Sequence, residues 1–144
     1  MSVGRICTRV VATASPDESV RTLADRMAEH NVGTVVVVEN EKPVGIVTDR
    51  DLAVRVVAAG LDAETTPADD IMTEEIRSLD EGTPIEDGLA AMKGSGVRRI
   101  VVTGEDGRLA GILALDDVLE LLVEEAESIG AVLRKESPRM AGGT

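Results

Sequence analysis

The sequence GIVTDRD at residues 45–51 and the sequence GILALDD at residues 111–117 occupy the same place in two copies of a longer unit. Residues 6–38 lie over residues 71–103 after a shift of 65 positions, and one inserted residue then aligns the two glycine-led stretches. A unit of about 60 residues buries too little apolar surface to be stable alone. We therefore expect the two copies to pack face to face around a pseudo-twofold axis, leaving paired clefts between them.

The composition fits one folded domain made of two halves. The chain has 144 residues, 43% of them apolar, but contains no Phe, Tyr or Trp. The core is therefore expected to consist of aliphatic residues and Met, and base stacking on aromatic rings is excluded. Fifteen basic and 27 acidic residues give a net charge of −12. This charge makes nucleic acids and anionic membranes unfavourable partners.

The sequence offers little for metal or disulfide chemistry. Cys7 is the only cysteine and His30 the only histidine, which excludes an internal disulfide and a metal site built from several such residues. The longest apolar runs, such as residues 35–38, are far shorter than the roughly 20 residues of a membrane span. No signal-like segment opens the sequence. We expect a cytoplasmic protein that contacts no membrane.

Local patterns give both copies the same order of elements. The capping pattern SPDE at residues 15–18 predicts that a helix starts there, and TPIE at residues 83–86 repeats it, with Asp80 as an alternative cap. The β-branched runs at residues 34–38 and 99–103 predict buried strands, each followed by a returning strand and a second helix. The predicted fold is α/β (α+β): two pseudo-twofold-related β-α-β-β-α repeats packed through their sheets.

These elements set the predicted domain boundaries. The first repeat covers residues 6–60, a polar linker covers residues 61–70, and the second repeat covers residues 71–125. Residues 126–144 are predicted to be a helical extension followed by a flexible tail. The extension carries apolar side chains that a partner subunit would cover, so a homodimer is expected.

Thr48 and Asp51 stand where a strand runs into the first turn of a helix. Backbone N–H groups at such a turn favour phosphate, Thr48 can donate to a phosphate oxygen, and Asp51 can accept both hydroxyls of a ribose. The same two residues also form a capping pair that needs no ligand. The second copy keeps the acid as Asp117 but has Ala114 in place of the threonine, so we expect the two clefts to differ.

Arg98 and Arg99 open the central strand of the second copy, where successive side chains point to opposite faces. In so acidic a chain they are candidates for a phosphate clamp, because a guanidinium group donates several hydrogen bonds. Pairing with neighbouring carboxylates is the alternative. No nucleophile stands beside a base in the sequence pattern, so we expect a binding protein rather than an enzyme.

The two glycine-led stretches, IMT at residues 71–73, VRR at residues 97–99 and the repeat order together resemble the paired cystathionine-β-synthase (CBS) domains, or Bateman module. The resemblance covers nearly all of residues 6–125. It implies a disc-like tandem whose central strands pack across the pseudo-twofold axis. It also implies two clefts that bind adenine nucleotides such as AMP, ADP or ATP, and in some members S-adenosylmethionine or NAD.

The resemblance also implies which residues form each cleft, and each cleft draws on both repeats. The residues assigned to one cleft are Thr48, Asp51, Ser78, Val97 and Arg98, and those assigned to the other are Asp117, Thr13, Val32 and Gly33, with Arg98 or Arg99 at the phosphates. This sequence departs from the family pattern at Ala114, which weakens phosphate contact in the second cleft. It also supplies no arginine at residues 33–34, opposite Arg98 and Arg99.

We therefore expect a stand-alone regulatory module that needs no cofactor. An adenine nucleotide in a cleft would change how the repeats sit together, and this change would be reported to a regulated protein or to a second copy of the chain. The negative net charge favours AMP or ADP over ATP. One alternative is a structural or dimerisation module with empty clefts, joined through a last helix at residues 117–133. Another is a sensor of S-adenosylmethionine or NAD.

Overall fold

The chain folds into two three-stranded sheets of one topology, in a computed structural model that describes residues 1–136. The strands are β1 (Thr13–Ala14), β2 (Thr34–Glu39), β3 (Lys42–Thr48), β4 (Ser78–Asp80), β5 (Arg99–Thr103) and β6 (Leu109–Ala114). In each sheet the first strand runs parallel to the second, and the second pairs antiparallel with the third. The predicted mixed α/β fold of two related repeats is confirmed.

Helices flank the sheets and connect the strands. The described helices are α1 (Val3–Ile6), α2 (Val20–His30), α3 (Asp49–Asp51), α4 (Ile85–Ser95) and α5 (Leu115–Glu136). Helix α3 continues as a π-helical stretch, Leu52–Val57, and Ala68–Asp70 forms one turn of 3₁₀-helix. The segment after residue 125 is helical as far as Glu136. The rest of the predicted tail, residues 137–144, lies outside the described residues.

Helix α2 begins later than the sequence pattern predicts. Its N-cap is Ser19, whose hydroxyl accepts from the N–H of Thr22 at 3.2 Å. The Glu18 carboxylate does accept from the N–H of Ser15 at 2.7 Å, as the pattern implies. However, the same carboxylate binds Arg26 at 2.6 Å, so residues 15–18 form a turn that precedes the helix. The predicted helix start at this turn is therefore wrong.

The second repeat starts its first long helix without a side-chain cap. Pro84 is the N-cap of α4, and no side chain bonds the first turn. Asp80, the alternative cap in the sequence, instead accepts from the N–H of Gly82 at 2.8 Å and closes the preceding turn. The two repeats therefore share the position of this helix but not the way in which it begins.

Each sheet buries one face in the core of a repeat and the other between the repeats. In β2, Val35 and Val37 belong to the core of the first repeat, and in β5, Ile100 and Val102 belong to the core of the second. Side chains alternate along a strand, so Val36 and Val101 point to the opposite face, where both are fully buried. The repeats are thus packed through their sheets.

The repeats exchange the segments that precede their first strands. Val3 and Cys7 pack into the core of the second repeat, whereas Ala68 and Ile71 pack into the core of the first. Residues 61–70, predicted as a polar linker, therefore contain a core residue of the first repeat.

Two equivalent backbone pairs hold this exchange in place. The N–H of Thr8 donates to the carbonyl of Ile112 at 2.8 Å, and the N–H of Thr73 donates to the carbonyl of Ile46 at 2.9 Å. Both pairs are reciprocal, and each joins a segment of one repeat to the third strand of the other. Strand β6 of the second repeat is therefore bonded to a segment of the first repeat, and strand β3 of the first repeat to a segment of the second.

Candidate functional site

The larger of two clefts between the repeats, here called cleft A, has a volume of about 420 Å³. This volume lies within the roughly 300–1,000 Å³ typical of small-molecule sites. Four of the residues that the sequence assigned to one cleft line it together: Thr48, Asp51, Val97 and Arg98. Arg99 lines cleft A as well, so both repeats contribute polar groups to it. Ser78, the remaining residue assigned to this cleft, is exposed at the start of β4 and does not line cleft A.

Thr48 and Asp51 bond each other at the start of α3. The Thr48 hydroxyl accepts from the N–H of Asp51 at 3.2 Å, and the Asp51 carboxylate accepts from the N–H of Thr48 at 2.9 Å. Thr48 and Asp51 thus form the predicted capping pair. A hydroxyl can accept and donate at the same time, so Thr48 retains its proton for an oxygen atom in cleft A.

Asp51 has one carboxylate oxygen on the Thr48 N–H, and the other lies 3.6 Å from the guanidinium group of Arg55. Its side chain is 16% exposed, while that of Arg55 is 48% exposed. Because Arg55 has solvent on its other side, its hold on the carboxylate is weak. The second oxygen of Asp51 can therefore accept a hydroxyl group from a ligand.

Cleft A is positively charged within a strongly acidic protein. Of the residues that the structure describes, three arginines line it (Arg77, Arg98 and Arg99), against two carboxylates (Asp51 and Glu75). Arg98 lies 4.0 Å from Asp116, and both side chains are more than 70% exposed, so this pair leaves Arg98 available to a ligand. The sequence analysis missed Arg77. The signal for it was a basic residue next to Ser78, directly before β4.

Thr34 is a second lining residue that the sequence analysis passed over. It stands opposite Thr48 in the register of β2 and β3, lines both clefts and is 8% exposed. Its hydroxyl oxygen has no hydrogen-bond partner within residues 1–136. The signal in the sequence was a hydroxyl residue at the head of a strand whose next four residues are all valine.

The second cleft, here called cleft B, is smaller, with a volume of about 260 Å³. Val32, Gly33, Ala114 and Arg99 line it. Asp117 does not line cleft B, because its carboxylate turns back to accept from the N–H of Ala114 at 2.9 Å.

Thr13, the other residue assigned to the second cleft, lies outside it. It lines a larger, open groove of about 620 Å³ along β1 and α2. Arg26 and Glu18 are the charged groups of this groove and bind each other at 2.6 Å. The bond lowers the pKa of Glu18 and raises the pKa of Arg26. Because these charges neutralise each other, this groove is not our candidate site.

The chain places its cations on the side of cleft A. A Cβ atom on Gly33 would lie 2.8 Å from a carboxylate oxygen of Asp49, so a larger side chain does not fit there without a shift. In the second repeat, Arg98 occupies the place of Gly33 and Leu115 the place of Asp49. The backbone bond is the same in both repeats. The backbone N–H of Asp49 donates to the carbonyl of Gly33, and the backbone N–H of Leu115 donates to the carbonyl of Arg98. Cleft B therefore has Gly33 at the position where cleft A has the guanidinium group of Arg98.

Residues 1–136 also bear on metal binding and on membrane insertion. In that range no three His, Cys, Asp or Glu side chains come together in a way that could hold a metal ion. In the same range no helix combines the length and the apolar character required to cross a bilayer.

Comparison with known sequences identifies relatives for most of the chain. The family model of the CBS domain matches residues 3–58 and residues 68–124. The CBS domain-containing protein YhcV of Bacillus subtilis is 36% identical over 132 residues, and the match covers 92% of each chain. The protein MK0525 of Methanopyrus kandleri is 35% identical over 122 residues, which are 84% of this chain and 62% of that protein.

Solved structures of CBS proteins share the fold. The CBS domain protein PAE2072 from Pyrobaculum aerophilum, complexed with AMP, has a TM-score of 0.73 and 26% identity, over 85% of this chain and 99% of that one. The CBS domain pair of protein MJ0100, in complex with 5′-methylthioadenosine and S-adenosyl-L-methionine, has a TM-score of 0.76. It is 23% identical over 87% of this chain and 98% of that one, so this likeness concerns the fold alone. The resemblance seen in the sequence is confirmed, and the chain belongs to the CBS domain family, with two CBS domains in tandem.

Proposed function

We propose that this chain is a regulatory CBS pair that binds an adenosine-containing nucleotide in cleft A. The observation that carries the proposal is the convergence of Thr48 and Asp51 from one repeat with Arg98 and Arg99 from the other. The AMP complex of the similar protein PAE2072 supports this ligand class. The proposed role requires no cofactor and no bond-making step.

The lining of cleft A assigns a part of the nucleotide to each group. Asp51 accepts the ribose hydroxyls, and the Thr48 hydroxyl donates to the phosphate, which the arginines also bind. The apolar side chains of Ile76 and Val97 provide a wall for the adenine ring. Three guanidinium groups against two carboxylates match the charge of AMP or ADP better than that of ATP.

The proposed signal is a change in how the two repeats sit together. A ligand in cleft A contacts both repeats, and it shifts their arrangement only if its affinity for the two arrangements differs. Arg98 connects the ligand to α5, because its carbonyl accepts from the N–H of Leu115 at 2.8 Å, at the first residue of that helix. A movement of Arg98 is thus passed to α5, and from there to a regulated protein or a second copy of the chain.

Isothermal titration with AMP tests the proposal on two matched variants. Asp51→Asn keeps an oxygen that can accept from the Thr48 N–H, but it loses the charge and one acceptor for the ribose. We expect AMP affinity to fall by about tenfold or more, since hydrogen bonds to charged groups contribute roughly 1.5–3 kcal/mol. Asp117→Asn makes the same change outside cleft A and is expected to leave AMP affinity unchanged. Wild-type affinity in Asp51→Asn would contradict the proposal.

A structural module with empty clefts is the second candidate function. The capping pair of Thr48 and Asp51 favours it, because reciprocal bonds to the backbone give both side chains a structural role. A melting-temperature panel of AMP, ADP, ATP, NAD and S-adenosylmethionine separates the candidates. A ligand at 100 times its dissociation constant adds about 2.7 kcal/mol of stability. A shift with AMP or ADP supports our proposal, a shift only with NAD or S-adenosylmethionine changes the ligand, and no shift favours the structural module.

We also propose that the chain forms a homodimer through α5. The helix carries an exposed apolar seam at Leu119, Leu122, Ala126, Ile129 and Leu133, whose spacing of 3, 4, 3 and 4 residues is that of a coiled coil. The four larger seam residues are 49% to 60% exposed. A second copy of α5 supplies an identical seam and covers them.

The charges of α5 favour an antiparallel pair. Six acidic residues occupy positions 116–127, and the basic residues Arg134 and Lys135 follow in the last turn. A parallel pair would place the acidic halves side by side, whereas an antiparallel pair brings each basic end toward the acidic end of the partner helix.

A further inference from the structure

Thr34 and Arg99 occupy equivalent positions and line both clefts. They are separated by the 65-residue shift that relates the repeats, and each is the first residue of the central strand of its sheet. Both residues contribute to the lining of cleft A and of cleft B. The two clefts therefore meet at this pair, close to the pseudo-twofold axis.

The Thr34 hydroxyl is buried, and the part of the chain that the structure describes offers it no hydrogen-bond partner. The residue is 8% exposed, and its oxygen makes no hydrogen bond within residues 1–136. Buried polar atoms without partners are rare, because the atom loses its bonds to water and gains none in return. An oxygen-rich ligand group placed between the clefts would give this hydroxyl an acceptor.

The charges around this point favour an anion as the ligand group. Arg99 is beside Thr34 in both cleft linings, and Arg98 approaches from the side of cleft A. Among residues 1–136, cleft B adds no further cation, because its other lining residues carry no charge. Two dianionic phosphates, one in each cleft, would meet across a single shared guanidinium group, and their repulsion disfavours joint occupancy.

We infer that Thr34 and Arg99 form one phosphoryl-binding position shared by both clefts, so that each chain holds a single phosphorylated nucleotide at a time. The inference rests on the proposed function and adds to it a stoichiometry and a specificity residue. Adenosine lacks the phosphate, so its affinity does not depend on Thr34.

Titration calorimetry with AMP and with adenosine tests the inference on Thr34→Val and Thr34→Ser. Valine has nearly the shape of threonine but no hydroxyl, and serine keeps the hydroxyl. We expect the wild type to bind one AMP per chain, and Thr34→Val to bind AMP about tenfold or more weakly. We expect Thr34→Ser to restore AMP affinity and all three proteins to bind adenosine alike. The melting temperature of unliganded Thr34→Val should not fall, because the unpaired hydroxyl is removed.

Two results would overturn the inference alone. One is wild-type AMP affinity in Thr34→Val, and the other is two AMP molecules bound per chain with equal affinity. In both cases AMP still binds, and the effect of Asp51→Asn on cleft A still tests the proposed function. A wild-type protein that binds neither AMP nor adenosine would overturn the proposed function together with this inference.

Discussion

A single hydroxyl group separates the helix starts of the two repeats. At Thr48 the hydroxyl and the Asp51 carboxylate bond each other's backbone N–H groups. At Ala114 only the carboxylate half of this arrangement remains, through Asp117 at 2.9 Å. The difference is local and does not alter the fold, because Thr34 pairs with Thr48 in β2 and β3 as Arg99 pairs with Ala114 in β5 and β6.

Exchanging these residues should change stability in opposite directions. Thr48→Ala removes the acceptor of the Asp51 N–H, so we expect the free energy of unfolding to fall by about 1 kcal/mol. Ala114→Thr supplies the missing acceptor in the second repeat and is expected to raise the free energy of unfolding. Urea denaturation of the two variants and the wild type measures both effects. Equal stability of Thr48→Ala and the wild type would show that the cap contributes nothing.

The pair of Glu18 and Arg26 should make stability depend on pH. The two side chains are joined by bonds of 2.6 and 3.0 Å, and the hydrogen bond from Arg26 lowers the pKa of Glu18. Because the pKa of Glu18 is lowered, the ion pair contributes its full stabilisation at neutral pH. This stabilisation is lost as the pH falls through the folded-state pKa of Glu18, which lies below the pKa of a free glutamate.

Glu18→Gln is therefore expected to lower the free energy of unfolding at neutral pH by about 1 kcal/mol and to behave like the wild type in strong acid. Melting curves across the acid range measure this. Glu105→Gln, at an exposed turn, is the matched control and should change little at any pH. A Glu18→Gln effect that persists unchanged in acid would exclude the proposed origin in this ion pair.

Two glycines allow the exchanged segments to reach the third strand of the opposite sheet. A Cβ atom on Gly111 would lie 2.5 Å from the carbonyl oxygen of Thr8 and 2.9 Å from the sulfur of Cys7. A Cβ atom on Gly45 would instead meet the side chain of Met72. A backbone carbonyl cannot move without breaking its strand pairing, whereas a methionine side chain is flexible.

We therefore expect Gly111→Ala to destabilise the protein more than Gly45→Ala, by about 1–3 kcal/mol. Gly94→Ala is a control, because nothing lies within 4 Å of a Cβ atom there and alanine favours the interior of α4. It is expected to leave stability unchanged or raise it. Denaturant unfolding of the three variants gives the order, and an equal loss at Gly45 and Gly111 would disagree with this account.

The sequence determined the central strands and hairpins but not which repeat each segment joins. The β-branched runs predicted β2 and β5 because residue type and alternation are local signals. The start of α2 could not be predicted from the capping pattern, since the Glu18 carboxylate also binds Arg26, a residue eight positions further along the chain. No local pattern predicts that Val3 packs in the second repeat. An apolar residue type indicates burial, but it does not indicate which of the two cores the residue joins.

Local sequence patterns likewise predicted only some of the residues that line cleft A. The capping pattern and the adjacent arginines predicted Thr48, Asp51 and Arg98 as site residues, because the binding groups of these side chains are evident from the residue type alone. Thr34 is an ordinary strand residue in the sequence, and its unpaired hydroxyl becomes visible only when every neighbouring donor and acceptor is placed. Arg77 lines cleft A in the place predicted for Ser78. Neighbouring side chains of an extended segment point to opposite sides, so a shift of one residue changes which of them faces the cleft.

The exchanged segments make the two repeats depend on each other for a complete core. The first repeat lacks part of its core without Ala68 and Ile71, and the second lacks part of its core without Val3 and Cys7. Neither half is complete on its own. A ligand between the repeats therefore acts on a unit that is already joined, and its effect is a change of arrangement rather than an assembly of separate domains.

The exposed seam of α5 is the surface through which we expect two chains to assemble. Ile129→Glu places a charge in the middle of the seam, where a second helix would bury it, and we expect it to convert a dimer to a monomer in sedimentation velocity experiments. Ala131→Glu adds the same charge about 200° around the helix, away from the seam, and should leave the dimer intact. Because Ile129 is 60% exposed and lies beyond the repeat cores, both variants are expected to remain folded and to melt in a cooperative transition. A wild-type protein that sediments as a monomer, or a dimer that survives Ile129→Glu, would contradict the pairing through α5.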